Sequence, residues 1–158
     1  MEKMLVNGVS SNVKVAQISV IGLKDEPGTA AKLFGAIADK DYNVELILQS
    51  IGRDGVKDIS FVVNEEDADS IVDIVIETFA HGEFEKVNVD KNIGIVSIKG
   101  AGMMSNPGAA SMMFEALYGV GINIEMIYTS EIKVTTSVKR DQVERAVAAI
   151  RNKFVDID

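Results

Sequence analysis

Two tetrapeptides, Asp25-Glu26-Pro27-Gly28 and Ser105-Asn106-Pro107-Gly108, hold the residues best suited to chemistry in this sequence. Each precedes a run with helical apolar spacing. Proline is tolerated in a first helical turn, and glycine lets another group come close to the backbone. The free N–H groups of a helix start, together with the helix dipole, favour an anion such as a carboxylate. The same residues also read as caps, because Asp, Ser and Asn offer an oxygen to those N–H groups. Further polar groups recur at matching places. Asn43 and Asn123 each precede an apolar run with strand character, where asparagine accepts a turn conformation. Gln49, Thr129 and Ser130 end those runs. If helix start and strand start are neighbours, these groups converge. Backbone N–H could then take an α-carboxylate, backbone C=O an ammonium, and Asp25, Gln49 or Ser130 a side chain. That is the polar inventory an amino-acid ligand needs.

Other chemistry is poorly provided for. The chain has no cysteine, which excludes disulfides, thiolate nucleophiles, Cys-ligated zinc and iron–sulfur clusters. The single histidine, His81, stands before Gly82 and reads as a solvated helix-end residue. Gly100-Ala101-Gly102 follows a strand-like run, but the third glycine of a dinucleotide fingerprint would fall at Ser105, and no parallel βαβ run follows. Met103, Met104, Met112, Met113 and Met126 read chiefly as core filling. No catalytic residue and no metal ligand set is expected.

The elements that position these groups occur twice. Pro27, Gly28, Ala30, Phe34, Ala36, Asn43, Glu45, Ile47 and Ser50 are each repeated 80 residues later. Ile18-Ser-Val-Ile-Gly22 matches Val96-Ser-Ile-Lys-Gly100 at an offset of 78. In the first copy, alternation predicts strands over 16–22, 44–49 and 58–63, with a hairpin turn at Arg53-Asp54-Gly55. Ala30, Leu33, Phe34 and Ile37 stripe one helix; Ala68, Ile71, Val72, Val75, Ile76 and Phe79 stripe a second. A short strand over 83–89 closes the unit. The second copy predicts strands over 93–99, 122–128 and 132–138. Its helices are striped by Ala110, Met113, Phe114 and Leu117, and by Val143, Ala146, Val147 and Ile150. Only 154–157 remains for its fourth strand. The expected class is α+β: two ferredoxin-like βαββαβ units in tandem, each an antiparallel four-stranded sheet with two helices on one face. The expected boundaries are 14–90 and 91–158.

Charge narrows the partners. The 158 residues carry a net charge of −8, against nucleic acid and against a polybasic membrane surface. All of that excess lies within residues 64–90, which hold nine acids and one base, so the remainder is balanced at fifteen of each. The acidic stretch reads as a solvated face. No apolar run reaches the length of a membrane-spanning helix, and the start lacks the pattern of a secretory signal. A cytoplasmic protein is the default expectation.

The run Val20-Ile-Gly-Leu-Lys-Asp-Glu-Pro-Gly-Thr-Ala-Ala-Lys-Leu-Phe34, with Asn43-Val-Glu-Leu-Ile-Leu-Gln49 and Lys57-Asp-Ile-Ser-Phe61, resembles an ACT domain. Val96 to Ala110, Gly121-Ile-Asn-Ile-Glu-Met-Ile127 and Thr129-Ser-Glu-Ile-Lys133 complete a resemblance to the tandem ACT regulatory region of aspartokinase. The resemblance covers nearly the whole chain. It implies the small β-subunit, or an excised regulatory fragment, of an enzyme that phosphorylates the β-carboxylate of aspartate. The kinase domain, which would carry ATP and magnesium, is not in this chain, so no cofactor is implied for it. The resemblance further implies lysine, threonine or both as effectors, a homodimer through ACT domains, and an aspartokinase catalytic domain or subunit as partner. Carried over by position, one effector pocket uses Lys24, Asp25, Pro27, Gly28, Thr29, Ala30, Asn43, Val44 and Gln49. The other uses Met103, Met104, Ser105, Gly108, Asn123, Ile124, Thr129, Ser130, Glu131 and Ile132. Met103-Met104-Ser105 stands where relatives often carry a basic residue. In the family such pockets lie where units of two chains meet, and the segment before the first unit adds a strand to the second, a role that residues 1–13 would take here.

Two other readings compete. The regulatory subunit of acetohydroxyacid synthase should have one ACT unit followed by a dissimilar half, which the repeat opposes. A ligand-free interaction module would share the fold but not respond to amino acids.

Overall fold

The computed structural model describes residues 6–100 and 107–154. The chain divides into two compact units: Lys14–Lys91, and the segment before Lys14 together with the chain from Asn92 onward.

The Lys14–Lys91 unit runs β2 (Val15–Lys24), α1 (Thr29–Ala38), β3 (Glu45–Gln49), β4 (Val56–Asn64), α2 (Ala68–Thr78) and β5 (Lys86–Asp90). Its strands lie in the order β3-β4-β2-β5, each antiparallel to its neighbour. Alternation decides the faces. Ala16, Ile18 and Val20 of β2, with Ile59, Phe61 and Val63 of β4, turn inward to meet Leu33 and Ile37 of α1 and Ile71 and Val75 of α2. Ile76, expected in the α2 stripe, lies outside it at 49 % exposure, because it stands about 100° around the helix from Val75. The Phe34 ring meets Phe61 edge-on, with centroids 5.4 Å apart. Asp54 and Gly55 both have positive φ, and Arg53 and Val56 exchange hydrogen bonds of 2.9 and 3.0 Å. These are the marks of a two-residue type I′ hairpin.

The other unit contains β1 (Val6–Asn12), β6 (Ile93–Gly100), α3 (Pro107–Gly119), β7 (Met126–Thr129), β8 (Lys133–Lys139) and α4 (Val143–Lys153). Its sheet order is β1-β6-β8-β7. β1 takes the edge that β5 occupies in the first unit, with Val9 opposite Ile98 and Asn12 opposite Ile95. Of the strand expected over 154–157, only Phe154 is described; it is buried and its N–H bonds the Ile150 carbonyl at the end of α4. The strand expected over 122–128 is shorter. Ile122 is buried and Ile124 packs on the core, but bonding to β8 begins only at Glu125 N–H, which reaches the Ser137 carbonyl at 3.0 Å. Similarly, the strand expected over 83–89 starts at Lys86, since Phe84 turns to pack against the Phe79 ring.

Among the described residues no helix is long and apolar enough to cross a membrane, and no group of three or more Asp, Glu or His side chains is placed to hold a metal ion.

Candidate functional site

The start of α1 is built without a side-chain cap. Gly28 occupies the N-cap position at φ 91°, and no side chain bonds the first-turn N–H groups. Thr29 N–H reaches the Glu26 carbonyl at 3.4 Å and Lys32 N–H the Gly28 carbonyl at 2.9 Å, and the helix-start N–H groups between them are those that a ligand or water can meet. Thr29 is buried and its hydroxyl donates to the Lys24 carbonyl at 2.9 Å, tying the helix start to the end of β2. The capping reading of Asp25 is therefore not what the fold uses. Its carboxylate lies 3.5 Å from the Lys57 ammonium, and its N–H donates to the Gly55 carbonyl at 2.9 Å.

A cleft of about 210 Å³ opens beside this helix start, lined by Lys24, Glu26, Pro27, Gly28, Thr29, Lys32, Phe79 and Glu83. Lys32 bridges it: its ammonium is 3.1 Å from Glu83 Oε2 and 5.0 Å from the centre of the Phe79 ring. Lys24, Glu26 and the Lys32–Glu83 pair thus give the cleft both charge signs, a lining suited to a small zwitterion.

The register separates the remaining expected residues from that cleft. β3 and β2 are both antiparallel to β4 and therefore run parallel to each other. Glu45 and Gln17 share Val62 as partner, whereas Gln49 and Val20 share Ile59. Glu45 is thus level with Gln17, seven residues before Lys24, or about 23 Å along the strand. Asn43 and Val44 precede Glu45 and lie at that far end. Asn43 is exposed and Val44 packs against the core. Helix start and strand start are therefore not neighbours within one chain, so the condition for their polar groups to converge is not met there. Gln49, exposed at the other end of β3, is nearer the helix start.

The ACT domain family model matches residues 18–79 and 96–154. The fold agrees with the regulatory subunit of aspartate kinase from Thermus thermophilus in its ligand-free form, at 32 % identity and a TM-score of 0.91, covering 96 % of this chain and all of that one. The chain belongs to the ACT domain family. Its two ACT matches follow one another along the chain. A structure of aspartokinase alpha and beta subunits matches at 34 % identity and a TM-score of 0.86, over 94 % of this chain and 98 % of that one. The aspartokinase of Corynebacterium efficiens is 35 % identical over 98 % of this chain. The chain spans only 37 % of that relative's length. The second family match falls in the half that the acetohydroxyacid synthase reading expects to be dissimilar.

In the second ACT unit, Met103, Met104 and Ser105 lie outside the described residues. Gly108 is half-buried in the first turn of α3. Asn123 is exposed ahead of β7, and Ile124 packs against the core. Thr129 ends β7, Ser130 N–H closes the hairpin on the Lys133 carbonyl at 2.8 Å, and Glu131 and Ile132 are exposed at its tip. The Ile132 carbonyl accepts from Gly100 N–H at 2.9 Å, as Gly55 accepts from Asp25. Each ACT unit therefore joins the chain leaving its central strand to the hairpin that follows its edge strand.

Glu26, Lys32, Phe79 and Glu83 line the first cleft but were not singled out by the sequence. Glu26 was visible only as part of the Pro-Gly motif. Phe79 read as core and Glu83 as part of the acidic stretch. Their meeting with Lys32 depends on the packing of the two helix ends.

Proposed function

We propose that this chain is the regulatory, non-catalytic part of an aspartate kinase, binding lysine or threonine between ACT units of two copies to inhibit aspartate phosphorylation by a catalytic partner. The observation that carries this reading is the separation of the Lys24–Ala30 helix start from Asn43 and Val44. A pocket that uses both sets, as the family resemblance implies, must draw them from two chains. The surface supports such pairing. β3 is an edge strand with Ile47 and Leu48 exposed at 48 % and 39 %, and Ile51 beyond it is 90 % exposed. Exposed apolar strand edges favour pairing with another chain.

The proposed site comprises Lys24, Asp25, Pro27, Gly28, Thr29 and Ala30 from one copy, with Asn43, Val44 and Gln49 from the other. Its counterpart uses Met103 to Ser105 and Gly108 with Asn123, Ile124 and the Thr129–Ile132 hairpin. The uncapped N–H groups at the α1 start would hold the effector's α-carboxylate, as a helix N-terminus holds an anion. Carbonyls of the β3 edge would accept its ammonium.

Binding across an interface stabilises whichever arrangement forms the pocket, by the effector's differential affinity for it. A coupling of about 1–3 kcal/mol changes the response 5–150-fold. Titration calorimetry of the chain with lysine, threonine and methionine tests the reading. Saturable heat with lysine or threonine supports it; silence from all three rejects it in favour of a ligand-free module.

A further inference from the structure

From the way the β3–β4 hairpin grips the α1 start, we infer that Lys57 is a positioning residue for the effector site, acting through Asp25 rather than on the ligand. The inference rests on the proposed effector role of that helix start.

Lys57 stands on β4 in the inward-facing series with Ile59, Phe61 and Val63, opposite Leu23. A lysine at 8 % exposure is out of keeping with that series. Its ammonium emerges at the end of the core, 3.5 Å from Asp25 Oδ1. The same hairpin holds Asp25 at two further points. Gly55 accepts its N–H at 2.9 Å. Gly52 packs so closely on the carboxylate that any Cβ there would overlap Asp25 Oδ2 and Cγ. A side chain at Gly52 would thus displace the Asp25 carboxylate from its place beside Lys57.

On the opposite face of β4, Asp58 extends the grip. Its Oδ1 accepts from Gly22 N–H at 2.9 Å, at the irregularity in β2 just before the helix start. Its backbone N–H donates to Ser50 Oγ and its carbonyl accepts from Ser50 N–H, each at 2.9 Å. Consecutive residues of β4 thus hold the end of β2 from one side and the Asp25 carboxylate from the other. The helix start is tied again downstream, where Thr29 bonds the Lys24 carbonyl. Pro27 and Gly28 remain exposed between these ties. A clamp of this kind fixes the direction of the first-turn N–H groups before a ligand arrives, and preorganisation of that sort is worth affinity.

Charge removal separates this role from a structural one. Removing one partner of an ion pair is costly only when the charge left behind is buried, and the Asp25 carboxylate is 44 % exposed and open to water. Lys57→Met should therefore keep or raise the unfolding temperature while freeing Asp25. The experiment compares the wild type, Lys57→Met, Lys57→Arg and Gly52→Ala by amide hydrogen exchange and by titration with L-lysine and L-threonine. Lys57→Met and Gly52→Ala should each speed exchange of the Asp25 amide roughly tenfold and weaken the bound amino acid roughly tenfold, the effect of losing one charge-assisted contact. The Val63 amide, in mid-sheet, should be unaffected, and Lys57→Arg should restore both readouts. Unchanged Asp25 exchange in Lys57→Met overturns the inference. So does unchanged affinity alongside faster exchange. If the wild type binds neither amino acid, the effector reading has failed, and the exchange comparison alone decides whether the clamp exists.

Discussion

Ser97 Oγ and Thr135 Oγ1 lie 2.8 Å apart across the β6–β8 ladder, both buried at 4 % exposure. The first ACT unit holds the same arrangement, Ser19 Oγ and Ser60 Oγ at 2.8 Å, on the register pair Ser19–Ser60. Removing one hydroxyl from the buried pair leaves the other with no replacement from water. Ser97→Ala should cost about 1–3 kcal/mol, whereas Ser97→Ala with Thr135→Val should recover most of that loss. Urea unfolding of the single and double variants measures the difference. Equal costs that simply add would show that the two hydroxyls do not depend on each other.

The aromatic pair of the first unit should be unequal in its contributions. Phe61 is fully buried, while Phe34 is only partly so. Phe61→Ala should cost about 3–5 kcal/mol by opening a cavity between sheet and helices. Phe34→Ala should cost less, because water can reach part of the space vacated. Thermal unfolding of both variants checks the order, and a larger loss at Phe34 would contradict it.

Asp25→Ala strands the Lys57 ammonium at the end of the core. The expected cost is about 1–3 kcal/mol, toward the lower end because Asp25 is 44 % exposed and its attraction is screened. The variant should fold and show a lowered urea midpoint. An unchanged midpoint would mean that Lys57 finds water or another acceptor at no cost.

Gln49→Ala tests the edge strand. Gln49 is exposed at the end of β3, so its removal should change stability by less than about 0.5 kcal/mol. Effector affinity should fall roughly tenfold if its amide reads the ligand. Calorimetry with lysine and threonine separates the two quantities, and undiminished affinity would remove Gln49 from the site.

Much of this was legible because the chemistry is local. The repeated Pro-Gly motifs, the alternation of Ile18 and Val20, and Asp54-Gly55 as a hairpin turn all rest on neighbours in sequence. Alternation also favoured a strand through Ile122 and Ile124, but inward side chains do not ensure a hydrogen-bonded partner, and the ladder starts only beside Ser137. The engagement of Asp25 was hidden for a different reason. Its partner is 32 residues away, and only the β2–β4 register, with its shift between Val20 and Leu23, brings Lys57 within reach. The register likewise separates Asn43 from the helix start, although both carry the motif residues that suggested a shared pocket.

The account turns on a site completed by a second copy, and sedimentation velocity with and without saturating lysine or threonine tests that most directly. A dimer dissociation constant lowered at least about fivefold by one of them, and not by methionine, is the predicted result. An amino acid that binds at one equivalent per chain while leaving the monomer–dimer equilibrium unchanged would contradict it.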